Sequence, residues 1–386
     1  MANQTFRPRL SLPSFVFVIT FLAPLFGAET PRTIPPEGVA PFDPRPLMEK
    51  VEEQIQTDKY RFAVVGDVKH ASTFPPLVKF MDEELKPDFV FSTGDMVRGG
   101  GGKDGAGNWA KFAKDSGAAM RERPWWPVLG NHELAGSPAH ISRHEDDPDE
   151  DDPPPELDGL GNFERFYGLE REYYTVNFRN SVFLVLPYPM PKGESKKWLK
   201  EELKKASAAG KHIFILNHCP FYTVGGKSKR EIPNKETDIT ELFREYHVRA
   251  VLSGHDHIYY RTVRNGVPYV IAAGGGATLY QGLRLSEALC DDVYYCAIPL
   301  AKKPKDAKGQ GADKTTPARA TKDQGTNKAP PAKGKYIFHN GAAGWPDRVT
   351  EKQDQFVVIV DVDGPKVTMA CVTAKGEKLD EMVWAR

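Results

Sequence analysis

Five short apolar runs in this chain each end at aspartate, asparagine or histidine. Phe62-Ala63-Val64-Val65 runs into Gly66-Asp67, and Phe89-Val90-Phe91 leads through Ser92-Thr93-Gly94 to Asp95. Trp126-Pro127-Val128-Leu129 is followed by Gly130-Asn131-His132-Glu133. Ile213-Phe214-Ile215-Leu216 ends in Asn217-His218, and Ala250-Val251-Leu252 in Ser253-Gly254-His255-Asp256-His257. Runs of this length, rich in β-branched and aromatic residues, read as candidate strands. With Val182–Leu186 they alternate with helix-like segments, the pattern of an α/β protein. In an open α/β sheet the carboxyl ends of the strands line one crevice, where ligands bind. One polar strand end means little; five converge on a site.

The residue types set the chemistry of that crevice. Asp67, Asp95, Asn131, His218, His255 and His257 offer two carboxylates, one amide oxygen and three imidazoles. Mixed nitrogen and oxygen donors suit zinc, iron, manganese or cobalt better than calcium, which prefers oxygen cages. Six donors exceed what one catalytic ion with an open position takes, so two ions sharing a carboxylate is the economical reading. Such a pair can supply hydroxide at neutral pH and clamp a phosphoryl oxygen during in-line displacement.

Taken in order, these five motifs resemble those of the calcineurin-like metallophosphoesterases over about residues 60 to 282. Trp125-Trp126-Pro127-Val128 and Phe221-Tyr222 are similar to the purple-acid-phosphatase-like branch. The resemblance implies two packed mixed β-sheets flanked by helices, a four-layer αββα sandwich. It implies that Asp95 bridges two transition-metal ions, with Asp67 and His257 on the first and Asn131, His218 and His255 on the second. His132 would face the leaving group as the catalytic acid or charge stabiliser, and Asp256 would orient its loop. The implied reaction is phosphate ester hydrolysis by a metal-bound hydroxide, monoesters ahead of diesters, on a small-molecule or polymer substrate.

Two positions depart from that pattern. Many members carry histidine two residues after the first aspartate; here Lys69 stands there, with His70 one place on. A protonated lysine has no lone pair to give. The first ion is then weakly held, or absent with the ammonium supplying part of its charge; a grip on substrate phosphate by Lys69 is the other option. Arg98 stands where the purple acid phosphatases have a ligating tyrosine, so no tyrosinate–iron colour is expected. A metal-deficient pseudoenzyme acting as a binding module therefore remains open.

The rest of the chain frames this core. Arg7 and Arg9, an apolar run from Leu10 to Phe26 and then Gly27-Ala28 have the layout of a secretory signal peptide over residues 1–28. Pro13 and Pro24 make that run a poor membrane span, and the mature chain should lack one, which places the protein outside the cell or in a periplasm. Residues 29–57 read as a Pro-rich linker and a short helix around Leu47–Ile55, and the core is expected over 58–289. Glu145–Asp158 is nearly all acid and proline, an expected solvated loop. Residues 290–335 read as an insertion; from Ala301 it holds ten basic residues against three acidic ones. A spacer or a surface that binds polyanions are its two readings, without specific nucleic-acid recognition. Residues 336–386 should supply closing strands, with a hairpin of Phe356–Val362 and Val367–Val372.

Smaller features take ordinary readings. Ser195–Ala209 is an amphipathic surface helix stopped at Gly210. Cys219 reads as a buried thiol, and Cys290 and Cys296 are close enough in sequence to pair. Trp125 and Trp126 read as core, as do His70, His140, His144, His212, His247 and His339. Gly99–Gly102 reads as a flexible rim. Substrate choice would sit in the loops Arg98–Asn108, Gly136–Asn162 and Tyr222–Glu236. Oligomeric state has no sequence signature. The balanced 52 basic and 52 acidic side chains name no partner.

Overall fold

A computed structural model describes residues 42–69, 71–116, 119–135, 158–225, 232–279, 292–298, 334–339 and 354–385. Two mixed sheets organise them. The first contains β1 (Lys59–Val65), β2 (Phe89–Ser92), β3 (Trp125–Pro127), β12 (Phe356–Asp363), β13 (Lys366–Thr373) and β14 (Lys378–Ala385), in the order β14-β13-β12-β1-β2-β3. The second contains β4 (Tyr174–Phe178), β5 (Ser181–Val185), β6 (His212–Leu216), β7 (Ala250–Ser253), β8 (Tyr259–Arg264), β9 (Val267–Ala272), β10 (Val293–Ile298) and β11 (Gly334–His339). Its order is β11-β10-β8-β9-β7-β6-β5-β4.

The central strands β1-β2-β3 and β5-β6-β7-β9 are parallel and buried on both faces, which is why they read as unbroken apolar runs. Alternate residues serve two cores. Phe62, Phe89, Phe91, Phe183 and Phe214 fill the space between the sheets, the Phe62 ring lying 5.1 Å from Phe183 and 5.2 Å from Phe214. Ala63, Val65, Val90, Ile213 and Ile215 face outward against helices. On the first sheet these include α2 (Phe74–Phe80) and α3 (Gly105–Ser116), through Phe74, Leu77 and Phe112. Elsewhere the layer holds the long helix Gly193–Ala208, which buries Leu199, Leu203 and Ala206 on one stripe. It stops where Gly210 turns left-handed at φ +64°. The four-layer αββα arrangement expected from the motifs is the fold observed.

Chain segments beyond the motifs depart from the expected layout at two points. Residues 293–298 pair antiparallel with both β8 and β11, so regular structure enters the stretch whose composition suggests an insertion from residue 290. Its β-rich Val-Tyr-Tyr-Cys-Ala-Ile sequence explains why: it carries none of the Lys, Gly and Pro bias that begins at Ala301. The Gly99–Gly102 run is also no free rim. Gly100 donates its N–H to His132 O at 2.9 Å, accepts from Asn162 at 2.8 Å, and packs so tightly on Glu133 that any Cβ would collide.

The hairpin β12–β13 adds antiparallel strands to the edge of β1, as the two strand-like runs either side of Asp363-Gly364-Pro365-Lys366 suggest. Residues 1–41, most of the acidic loop, 299–333 and Cys290 lie outside the described residues, as do His70, His140 and His144. Among the described residues, no helix is long and apolar enough to cross a membrane. Cys219 and Cys371 are buried.

Candidate metal centre

In each sheet the parallel strands finish level, Val65 beside Ser92 and Leu216 beside Leu252. The polar residues that follow therefore emerge at one rim. The first sheet contributes Asp67, Asp95 and Asn131; the second contributes His218, His255 and His257. Cross-sheet hydrogen bonds fasten the two sets together. His255 N donates to Asp67 Oδ2 at 3.0 Å, and His218 Nδ1 lies 2.7 Å from Thr93 O. All six residues predicted from the sequence meet here.

The backbone is held in an unusual state to achieve this. Asp67, Lys69, Asp95 and His255 have φ of +60°, +46°, +57° and +69°. Each left-handed non-glycine residue costs on the order of 1 kcal/mol, offset by the surrounding packing. Gly94 precedes Asp95 at φ +89°, and a Cβ there would meet the His218 ring at 2.7 Å. The glycine is required by both conformation and space.

Three donors form one tight group, with Asp95 beside it. Asn131 Oδ1 lies 2.9 Å from His218 Nε2 and 3.1 Å from His255 Nδ1; the two imidazole nitrogens are 3.2 Å apart. Asp95 Oδ1 is 3.3 Å from His218 Nε2. Ligands about 2.0–2.2 Å from one ion stand roughly 3 Å from each other, so Asn131, His218 and His255 have the spacing of ligands to a single transition-metal ion. His218 Nδ1, directed at Thr93 O, leaves Nε2 free to offer its lone pair.

A second group is made by Asp67, Asp95 and His257, all buried, whose ligand atoms lie within 4.8 Å of one another. Asp67 Oδ1 is 3.4 Å from His257 Nε2, and neither Asp67 Oδ1 nor Asp95 Oδ2 receives a well-aligned hydrogen bond. Lys69 reaches into this group. Its Nζ is 2.9 Å from Asp95 Oδ2 and 3.0 Å from His257 Nε2.

The charges are mutually dependent. Burial opposes charge on Asp95, yet His218, Lys69 and His132 outweigh it and hold the carboxyl below the usual range. Burial likewise works against the Lys69 ammonium, and Asp95 and Asp67 overcome it, raising the lysine. Burial lowers His218, favouring the neutral imidazole that a metal needs.

His132 stands at the open side of the site. Its Nδ1 is 2.7 Å from Arg98 O, and its Nε2 is directed inward, 3.9 Å from Asp95 Oδ2. Asp256 sits back from the donors, accepting a hydrogen bond from the Thr223 hydroxyl. His212 is buried against Gly364 O, at 2.8 Å, and Trp125 and Trp126 are core residues. His247 is exposed on a turn instead of buried; its φ of +53° follows from the tight exit of the preceding helix.

Glu133 is the supporting residue that the strand-end pattern does not reveal. Its carboxylate accepts N–H bonds from Asp95 and Gly130 at 2.8 Å and from Met96 at 2.7 Å, tying two motif loops together. Burial and the Asp95 charge push its pKa up to about 8, with those N–H groups opposing. The signal was local: an acid three residues after Gly130 at the start of a short helix, Asn131–Leu134.

A family model described as calcineurin-like phosphoesterase matches residues 60–259, more than half of the chain and all five motifs. The chain belongs to the calcineurin-like phosphoesterases. Within that family it is related to acid phosphatases. It is 24% identical to phosphoenolpyruvate phosphatase of Allium cepa, over 57% of this chain and 46% of that protein. It is also 24% identical to tartrate-resistant acid phosphatase type 5 of Mus musculus, over 50% and 62%. The chain thus spans roughly half to three-fifths of the length of these relatives. Purple acid phosphatase PPD1 of Lupinus luteus shares the fold with a TM-score of 0.54 at 16% identity, over 86% of this chain and 54% of that one.

Proposed function

We propose that this calcineurin-like phosphoesterase hydrolyses phosphate esters, monoesters ahead of diesters, by attack of a metal-activated water. The observation that carries this reading is the convergence of Asn131, His218 and His255 within 2.9–3.2 Å of one another, with Asp95 Oδ1 3.3 Å from His218 Nε2. An ion held there would lower the pKa of a water and stabilise charge on a phosphoryl oxygen.

The chain's own groups supply the rest. His132 Nε2 faces the cavity, while Nδ1 is fixed on Arg98 O; a proton on Nε2 can pass to the departing alkoxide. Glu133 keeps the Asp95 loop rigid, so the carboxylate meets its ligand without reorganising. The Lys69 ammonium adds a fixed positive charge beside Asp95. The likeness to acid phosphatases supports the preference for monoesters.

Export is part of the proposal, on the strength of Arg7, Arg9 and the Leu10–Phe26 run. Processed chain recovered outside the cytoplasm should begin at Glu29. The activity test is a panel of aryl and alkyl monoesters and a diester, assayed with the metal-loaded and the chelated protein. Hydrolysis that follows metal loading supports the reading. A fully loaded protein inert to every phosphate ester sinks it in favour of the binding-module alternative.

A further inference from the structure

We infer that the Lys69 ammonium takes the place of the first metal, so that the site binds one transition-metal ion per chain instead of two. This rests on the metal-binding reading of the Asp95–Asn131–His218–His255 group and goes further by saying what fills the other half.

The ammonium sits among the donors a first ion would need. Lys69 Nζ is 2.9 Å from Asp95 Oδ2 and 3.0 Å from His257 Nε2, both ordinary hydrogen-bond lengths. The tautomer of His257 makes that contact attractive. Its Nδ1 is 2.8 Å from Thr278 O, a carbonyl that can only accept, so Nδ1 carries the proton and Nε2 presents a lone pair to the lysine. Of the three atoms left for a first ion, Asp95 Oδ2 is therefore ion-paired with the ammonium and His257 Nε2 is in hydrogen-bond contact with it. The third, Asp67 Oδ1, lies 3.4 Å from the same His257 nitrogen, while Asp67 Oδ2 is taken by His255 N at 3.0 Å.

The lysine is aimed inward by its backbone. Lys69 N donates to Asp95 O at 3.1 Å and φ is +46°, a conformation that ties the residue to the site loop. Its side chain is only 18% exposed, unlike the solvated lysines elsewhere on the surface. Among the described residues, the only group of three His, Cys, Asp or Glu ligands here is Asp67, Asp95 and His257. Lysine replaces the histidine expected at position 69, and Arg98 replaces the tyrosine expected three residues after Asp95. Asp95 thus spans a metal on its Oδ1 side and an ammonium on its Oδ2 side.

Metal stoichiometry tests this directly. Purified full-length protein is saturated with Zn²⁺ or Co²⁺, desalted and analysed for bound metal, with the Co²⁺ form examined by electron paramagnetic resonance. One equivalent per chain and the signal of an isolated ion are expected, and His218→Ala should remove that equivalent. Lys69→His should bind two equivalents and show coupled ions. Two equivalents in the wild type overturn the inference and leave the hydrolase reading intact. No bound metal at saturation overturns both. Should Lys69→His fail to fold, the wild-type count still decides, with Lys69→Met, which retains a single equivalent, as the uncharged control.

Discussion

At the scale of single residues, the site is governed by what lies behind the donors. Glu133 is fully buried, contacts no proposed substrate position, and is the common acceptor for the N–H groups of Asp95, Met96 and Gly130. Removing it strands three buried donors, each costing about 1–3 kcal/mol when unpaired. Relaxation of the loops recovers part of this, so Glu133→Ala is expected to destabilise the fold by about 3 kcal/mol in denaturant titrations. The same variant should weaken metal binding by roughly 10- to 100-fold, as loss of an outer partner does. An unchanged metal affinity would show that the Asp95 loop holds its shape without Glu133. The identities of the six donors are legible in the sequence because each directly follows an apolar run. The position of Lys69 Nζ is not, since it depends on a left-handed backbone and on a tautomer set by Thr278, neither of which leaves a sequence signature.

Among the elements, the parallel strands are readable and the edges are not. Phe62–Val65, Phe89–Phe91, Ile213–Leu216 and Ala250–Leu252 are continuous apolar runs because both faces are buried, and the strands observed differ from them only at their ends. Tyr174–Phe178 and Tyr259–Arg264 mix exposed and buried positions, so their periodicity is weak. Contacts between strands of different sheets are invisible to pattern altogether. The clearest is on β14, where Asp380 accepts from Arg261 Nε at 2.6 Å and Nη2 at 3.0 Å, and from Tyr259 O–H at 2.6 Å. This buried group pins β14 of one sheet to β8 of the other.

Burial raises the Asp380 carboxyl, but the bonds from Arg261 and Tyr259 prevail and hold it below its ordinary value. A depressed carboxyl stabilises the fold above its unfolded pKa, about 3.9; that contribution is lost as pH falls through the lower folded pKa. Asp380→Asn leaves Arg261 buried beside a neutral amide and should cost about 3 kcal/mol at pH 7. Its acid-unfolding profile should also be flatter below pH ~4 than that of the wild type. Equal stability of the two proteins at pH 7 would mean the sheets do not depend on this tie.

For the molecule as a whole, an ion at the proposed centre would also be a fastening, because the donors come from both sheets. An ion binding only the folded chain adds about 2.7 kcal/mol at a hundred times its Kd. For a domain of this size that is roughly 4 °C in Tm, and a chelator should remove it while excess metal restores it. A Tm indifferent to chelation would indicate that the sheets are joined without help from the ion. The order of motifs along the chain makes the α/β pattern and the converging donors legible together, because a strand end that faces one rim is both a fold signal and a site signal; the four-layer arrangement is legible only through the family resemblance. Substrate identity is not legible in the same way, since it depends on loops whose composition carries no periodicity.

The proposed hydrolysis depends on Asp95 as the carboxylate that would hold the catalytic ion. Its most direct test is the rate of p-nitrophenyl phosphate hydrolysis by Asp95→Asn against the wild type, each saturated with the same metal and confirmed folded. The amide keeps the size of the side chain but removes its charge, and a fall of about 10³-fold or more in kcat/KM is predicted. Wild-type turnover by Asp95→Asn would contradict the mechanism.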